Sequence, residues 1–185
     1  MAVTALEVKT RQILANGRDF GSVGRYTQLD GTAHFAVDPA HPLNGCITDI
    51  DLAPHDDDGL VHFSADIRIL SPENPGRANH RLLFDVPNRG NRLGLAAFNR
   101  VPRPIDPSAP TDAGDGFLMR HGYTVVWCGW QHDVPAVEGL MRIRVPEGRR
   151  SGLRQTSGQF PTKCRDPSAA ALRPRAPPLS EQQSR

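Results

Sequence analysis

Two short, almost continuous apolar runs with a helical segment between them constrain the fold of this chain most. Residues 81–86 read RLLFDV and residues 123–130 read YTVVWCGW, and such runs are typical of strands covered on both faces. Residues 92–99 (RLGLAAFN) are a predicted short helix with Asn91 as its N-cap. Because buried strands alternate with a helix here, the sequence predicts a parallel crossover in an α/β fold.

The segment before these runs is predicted to form an antiparallel, β-rich layer. Residues 3–8 and 32–38 have strand patterns, and residues 46–53 and 60–70 alternate apolar and polar side chains. The last two segments are separated by PHDDDG, in which residues 58–59 are an Asp-Gly pair suited to a turn with positive φ. They are therefore predicted to pair as a hairpin.

The composition of the chain changes at residue 148. Residues 1–147 carry a net charge of −4, whereas residues 148–185 carry +6 and contain no Val, Ile, Met, Trp or Tyr. A segment of this kind buries too little apolar surface to offset the cost of ordering, which predicts disorder. We therefore expect three regions: a β-rich portion at 1–80, a strand–helix–strand portion at 81–147 and a disordered basic tail at 148–185.

No targeting or membrane-spanning segment is recognisable in the sequence. The first residues lack a basic segment followed by an apolar core, and no apolar run approaches the ~20 residues of a membrane helix. We therefore expect a cytoplasmic protein with no membrane partner. The basic tail allows a nucleic-acid-binding hypothesis, but Phe160 is its one aromatic residue and no recognition motif accompanies it. The sequence consequently does not favour nucleic acid, and no cofactor motif is found.

The segment DVPNRGN, which follows the first apolar run, is the best candidate for chemistry. The loop residues Asn88, Arg89, Gly90 and Asn91 lie between a predicted strand and a predicted helix. Unpaired backbone N–H groups in such a loop can bind an anion or an oxyanion. The simpler interpretation is a tight turn in which Gly90 relieves strain, and these residues alone favour it.

Two other groups of residues, the tryptophans and an acidic segment, are candidate sites. Trp127 is interpreted as core, whereas Trp130 could either pack or line a pocket at the carboxyl end of its strand. Residues 55–58 (HDDD) and His62 could attract a metal ion, but their spacing is not that of an EF-hand and favours a solvated turn. The three cysteines match no C-x-x-C pattern, so no metal site is predicted.

Four segments taken together resemble the amino-terminal part of a bacterial family of α/β-hydrolase domain-containing proteins. They are RDFGSVGRYTQLDGTAHFAVDPAHPLN, ITDIDLAPHDDDGLVHFSADIRILSP, LLFDVPNRGNR and DAGDGFLMRHGYTVVWCGWQHD. They occur in order across residues 7–147. The resemblance implies a β-rich antiparallel layer that leads into the first strands of an α/β-hydrolase sheet.

The resemblance also implies roles for individual segments. Residues 81–86 match the strand before the oxyanion loop, and residues 88–91 match that loop. Residues 116–121 match the first helix that covers the sheet, and residues 123–130 match the next strand. In the full-length relative, a small ester-like molecule would be the substrate of a Ser–His–acid triad.

The chain departs from that family after residue 147. It contains no G-x-S-x-G nucleophile elbow, so no catalytic residue is assigned and we expect a truncated, inactive esterase-like fragment. The tail has the Arg- and Pro-rich composition of GC-rich DNA read out of frame, which suggests a frameshift. Alternatives are a stand-alone β-rich small-molecule binding module and, ranked lower, a basic-tailed nucleic-acid binder. Whether a separate chain supplies the missing half is open.

Overall fold

In a computed structural model that describes residues 2–103 and 105–148, six strands form one mixed sheet. The strands are β1 (Ala2–Ile13), β2 (Tyr26–Val37), β3 (Val61–Pro72), β4 (Leu82–Phe84), β5 (Thr124–Cys128) and β6 (Ile143–Arg144). Two short helices, α1 (Gly94–Phe98) and α2 (Phe117–Arg120), lie between β4 and β5. The strand order is β1-β2-β3-β5-β4, and β6 pairs with β3. Strands from both sides of residue 80 therefore belong to one sheet.

The predicted antiparallel layer is present, and its strands are longer than the sequence patterns indicate. β1 pairs with β2 from Ala2↔Ala36 to Ile13↔Thr27, with register shifts in two places along β1. β2 pairs with β3 without interruption over twelve residue pairs. The first three strands thus form a long antiparallel meander that carries the later, shorter strands at the far edge of β3.

The predicted hairpin between residues 46–53 and 60–70 is wrong. Residues Ile50–Leu52 form a 3-10 turn that follows Asp49, whose φ of 56° interrupts extended backbone. The full length of β3 instead pairs with β2. β2 offers twelve uninterrupted partners, more than the short, broken segment before the turn could supply, so tertiary pairing overrides the local pattern.

The predicted parallel arrangement of the two apolar runs is confirmed, because β4 and β5 pair in parallel from Leu82↔Thr124 to Phe84↔Val126. The expectation that both would be covered on both faces is wrong for β4. This strand has three residues, and its side chains Leu82 and Phe84 are 60% and 51% exposed. The reason is its place at the edge of the sheet, since β5 is its one strand neighbour among the described residues.

The helices between these strands are shorter than predicted. Asn91 is not an N-cap, because α1 starts at Gly94 after Leu93. Gly116, with a φ of 74°, is the N-cap of α2, and Asp115 Oδ1 accepts from the Phe117 N–H at 2.9 Å. Gly122 follows α2 with a φ of 70°, a left-handed conformation that is common just after a helix.

The two faces of the sheet have different surroundings. One face, here called the packed face, carries Tyr26, Leu70, Val125 and Trp127 at paired positions of β2, β3 and β5. These side chains form one core with residues of the connections and of both helices, namely Leu14, Phe20, Val23, Leu95, Ala113, Leu118, Met119 and Met141. The opposite face, here called the open face, carries apolar side chains from five strands: Val3, Leu6, Val8, Ile13, Leu29, Phe35, Phe63, Ile67, Ile69, Leu82, Phe84 and Val126. Trp127 is fully buried in this core, which confirms its interpretation from sequence.

Two expectations from the sequence concern the C-terminal tail and membrane-spanning helices. The disorder and the basic tail predicted for residues 148–185 lie outside the described residues, except for Gly148. Within the described part of the chain, none of the helices combines the length and the apolar character that crossing a bilayer requires.

Candidate functional site

Asp85, directly after β4, ties together the start of α1 and the middle of β5. Its backbone N–H donates to the Val126 carbonyl at 2.9 Å, which extends the parallel pairing by one residue. Its Oδ2 accepts from the Gly94 N–H at 2.6 Å and from the Trp127 indole Nε1–H at 2.5 Å. Because Trp127 is fully buried, its hydrogen bond to Asp85 fixes the backbone just after β4 to the core.

The chain then reverses in a tight turn over the four predicted loop residues. The Asn88 N–H donates to the Asn91 carbonyl at 3.1 Å, and the Asn91 N–H donates to the Asn88 carbonyl at 3.0 Å. The two central residues, Arg89 and Gly90, have φ values of 52° and 82°. Two successive positive φ values characterise the primed turns of β-hairpins. The Asn91 side chain donates to the Asn88 carbonyl, so it closes this turn.

The backbone amides of the turn differ in their partners. Those of Asn88 and Asn91 pair with each other, and the Arg89 N–H donates to Gln131 Oε1 at 2.7 Å. The Gly90 carbonyl accepts from the Met141 N–H at 3.0 Å. Among the described residues the Gly90 N–H has no acceptor, and Gly90 itself is buried. Of the four predicted oxyanion-loop residues, Gly90 therefore keeps a spare donor.

An ion pair flanks the turn on its solvent side. Arg89 Nη1 lies 2.6 Å from Asp133 Oδ2, and about half of each side chain is exposed. The hydrogen bond from Arg89 lowers the pKa of Asp133, and the charges of Arg89 and His132 act in the same direction. Because exposed pairs of this kind contribute little to stability, this one mainly orients the Arg89 side chain away from the core.

Trp130, the predicted pocket residue, lies beyond the carboxyl end of β5. Its indole Nε1–H donates to the Pro87 carbonyl at 2.6 Å, and 46% of the residue is exposed. Pro87 is buried and immediately precedes the turn. The structure thus places Trp130 beside the turn. There its side chain stabilises the backbone at Pro87, just before the turn begins.

A cavity of about 250 Å³ lies on the packed face beside Trp127. Its walls come from α1, from Trp127 and from the loop between the helices. The lining residues are Arg92, Leu95, Val101, Pro102, Ile105, Asp106, Ala109, Pro110, Thr111, Asp112 and Trp127. Trp130 is not among them, and the volume lies just below the range of about 300–1,000 Å³ that is typical of ligand pockets.

Arg92 lines this cavity, and Arg68 contacts Thr111, another lining residue. Arg92 donates from Nη1 to the Gly139 carbonyl at 2.6 Å and from Nη2 to the Pro107 carbonyl at 3.1 Å. Arg68 donates from Nη1 to Thr111 Oγ1 at 2.8 Å. Burial, assisted by the nearby charge of Arg68, lowers the pKa of Arg92 to about 10. Arg92 therefore stays charged at neutral pH and places one positive charge on a lining that also holds Asp106 and Asp112.

The acidic cluster at residues 55–58 forms an exposed turn before β3. Asp58 Oδ1 accepts from the Leu60 N–H at 2.9 Å, and its Oδ2 lies 2.9 Å from His62 Nε2. The Leu60 hydrogen bond and then the His62 hydrogen bond lower the pKa of Asp58. In the part of the chain that is described, no three His, Cys, Asp or Glu side chains converge as metal ligands.

Sequence reasoning missed three residues that shape this region: Asp85, Arg92 and Gln131. Asp85 stands inside the segment DVPNRGN, but its partners lie 9 and 42 residues further along the chain. Gln131 reaches the turn across 42 residues. A charged residue within a predicted buried strand was the one available signal, and it indicated Asp85 without indicating its role.

Comparisons with protein-family models, curated proteins and solved structures found no significant match. The chemistry of the region therefore follows from its geometry alone. The end of β4 leads into a turn in which the N–H of the buried Gly90 is spare, and a cavity lined by Arg92 and by two aspartates lies on the packed face. The first feature suits the stabilisation of a developing negative charge, and the second suits the binding of a small molecule.

Proposed function

We propose that residues 81–147 form the opening strand–helix–strand part of a serine-type α/β hydrolase that cleaves an ester or a related acyl bond. Residues 1–80 would then be the β-rich portion that precedes its catalytic core. The observation that carries the proposal is the parallel pairing of β4 and β5 around two short helices. A sharp turn follows β4 at the carboxyl edge of the sheet, where open α/β sheets place their ligands.

The strand order supports the same proposal. β3 runs antiparallel to β2, β5 and β6, and the crossover from β4 places β5 between β3 and β4. An α/β-hydrolase sheet opens in this way, with an antiparallel second strand and a first crossover that returns towards it. The exposed outer edge of β4 is the position at which such a sheet adds its next parallel strand.

Within this proposal, Gly90 has a defined chemical task. In an α/β hydrolase, a backbone N–H from the connection after the third strand of the catalytic sheet helps to bind the oxyanion of the tetrahedral intermediate. In this proposal β4 corresponds to that strand. The Gly90 N–H is spare among the described residues, whereas the Arg89 N–H is already bonded to Gln131. A single donor of this kind accounts for about 10²–10³ in kcat when it is removed from a complete site.

The downstream nucleotide sequence tests the proposal. The DNA that follows codon 147, translated in the two other frames, should continue as a polypeptide with a G-x-S-x-G elbow, an acid and a histidine. The joined polypeptide should hydrolyse p-nitrophenyl butyrate, and Gly90→Ala should lower its kcat. Gly59→Ala, at another glycine with positive φ, is the matched control. Absence of an elbow in both frames, or a folded joined chain without turnover, would count against the proposal.

The cavity beside Trp127 favours a second candidate, a small-molecule binding module. Arg92 is the one cation among the described lining residues, and beside the buried indole it would contact the carboxylate of a flat molecule. We expect benzoate to quench tryptophan fluorescence saturably and benzamide, which lacks the charge, to bind at least about tenfold more weakly. Equal quenching by both, or none by either, would remove this candidate.

A further inference from the structure

The open face of the sheet is only partly covered in the described chain. Leu6 and Val8 on β1 are 46% and 50% exposed, and Phe84 on β4 is 51% exposed. Ile67 and Ile69, in the middle of the same face, keep partial exposure although they belong to the most central strand. Both helices contribute their buried side chains to the core on the packed face. Exposed or half-exposed apolar side chains therefore reach from β1 to β4, although Val37, Val61 and Val126 on the same face are buried.

β1 shows that this surface is patterned for burial. At its paired positions, Leu6 and Val8 lie on the open face opposite Ala33 and Gly31. The intervening paired positions carry residues such as Glu7 and Thr10, whose side chains lie on the other face. An edge strand that alternates in this way has one side that suits water and one that suits an apolar partner.

The size and the charge of the open face indicate what kind of partner fits. Three strands of twelve residues and two shorter strands span about 700 Å² at ordinary strand spacing and rise, of which the parts at Val37, Val61 and Val126 are already buried. A standard protein–protein interface buries about 800 Å² on each partner. At the paired positions of β1, Arg11 is the charged exception, and its place on the outermost strand lets it reach solvent. The partner must therefore be a flat, apolar surface of similar extent.

The remaining sequence of the chain offers little surface of that kind. Residues 149–185 contain four large aliphatic or aromatic side chains, Leu153, Phe160, Leu172 and Leu179, and seven Arg. A second copy of the chain, in contrast, presents the same charge-poor sheet face. Two such faces can pack as the two layers of a β-sandwich, about 10 Å apart, around a two-fold axis.

We propose that the 185-residue chain forms a homodimer in which the open faces of two sheets pack against each other. The interface is isologous, so that each apolar residue of one face meets the same face of its partner. This proposal goes beyond the proposed hydrolase function, and either can fail without the other.

Sedimentation equilibrium of the purified chain, together with two charge variants of β1, tests the proposal. The wild-type chain should show twice its mass of 20.2 kDa. Val8→Glu places a charge on the open face and should raise the dimer dissociation constant at least about tenfold, as the loss of an interface hot spot does. Ala5→Glu adds the same charge to the other side of the same exposed strand and should leave the dissociation constant unchanged. Phe84→Glu, at the opposite edge of the open face, should act like Val8→Glu.

Circular dichroism melts accompany these measurements, because a variant that fails to fold cannot report on an interface. All three positions are exposed, so the melts of the variant monomers should stay cooperative. A monomeric wild-type chain would overturn the proposal. So would equal weakening by Val8→Glu and Ala5→Glu, or a dimer that the folded Val8→Glu and Phe84→Glu variants leave intact.

Discussion

Gly90 combines two constraints that no other residue type can meet at this position. Its φ is 82°, and an added Cβ would lie 2.8 Å from Val134 Cγ1 and 3.0 Å from the Met141 carbonyl oxygen. A left-handed conformation costs a residue with a side chain about 1–3 kcal/mol, and overpacking costs a similar amount. We expect Gly90→Ala to lower the free energy of unfolding by about 2–4 kcal/mol, measured by urea denaturation.

Gly59 provides the control for the packing part of this effect. Its φ of 75° is similar, but nothing lies within 4 Å of an added Cβ. Gly59→Ala should therefore cost only about 1 kcal/mol, the conformational part. Equal losses for the two variants would show that the turn does not pack against Val134 and Met141 in the way described.

The Asp85 side chain, close to the turn, accepts two hydrogen bonds from the residues around it. Asp85→Ala would leave the Gly94 N–H and the Trp127 indole N–H without their acceptor. Each unsatisfied buried donor costs about 1–3 kcal/mol, so we expect a loss of about 2–4 kcal/mol in denaturation followed by tryptophan fluorescence. Asp57→Ala, in the exposed turn before β3, should leave the midpoint unchanged. An unchanged midpoint for Asp85→Ala would mean that the carboxylate does not hold Trp127.

Tyr26 links β2 to the connection between α2 and β5. The residue is fully buried, and its hydroxyl oxygen lies 3.1 and 3.0 Å from the carbonyl oxygens of Met119 and Tyr123. Loss of this donor in Tyr26→Phe should cost about 1 kcal/mol. Burial also raises the pKa of the Tyr26 hydroxyl, so its ionisation opposes folding.

The pH dependence of this contribution has a definite sign. The folded-state pKa of Tyr26 lies above the unfolded value of about 10, so its share of stability is complete below pH ~10 and is lost as the pH rises further. Urea denaturation between pH ~8 and ~11 should therefore show a steeper fall in the free energy of unfolding for wild type than for Tyr26→Phe. Parallel slopes for the two proteins would contradict the burial of this hydroxyl.

The elements that were predicted well are those whose own residues determine them. β5 lies within YTVVWCGW, and its parallel pairing with β4 follows from two apolar runs around a helix. The hairpin prediction failed because Asp49 adopts a left-handed conformation and β2 supplies a longer partner for β3, which no local pattern shows. The turn at Asn88–Asn91 could be located from sequence. The hydrogen bond from the Arg89 N–H to the Gln131 side chain could not be anticipated, because Gln131 lies 42 residues further along the chain.

At the scale of the whole molecule, the two faces of the sheet differ: a core packs on one face, and apolar side chains are exposed on the other. The packed face holds the core, the cavity and the Asp85 cluster, whereas the open face exposes apolar side chains on β1 and β4. The charge is equally uneven, since residues 1–147 carry −4 and residues 148–185 carry +6. The overall charge of +2 consequently describes neither part, and the sheet itself belongs to an acidic region. An acidic sheet with one charge-poor face associates through apolar contact more readily than through charge.

The purified 185-residue chain should not hydrolyse esters. A spare N–H at Gly90 can stabilise an oxyanion, but turnover also needs a nucleophile activated by a base, and the chain has no G-x-S-x-G elbow. We expect release of p-nitrophenol from p-nitrophenyl butyrate at the rate of heat-denatured protein, and no covalent labelling by a fluorophosphonate. Saturable turnover that scales with protein concentration, and that falls in Gly90→Ala but not in Gly59→Ala, would contradict this expectation. It would then assign a complete ester-hydrolysing site to this chain, with its nucleophile outside any elbow.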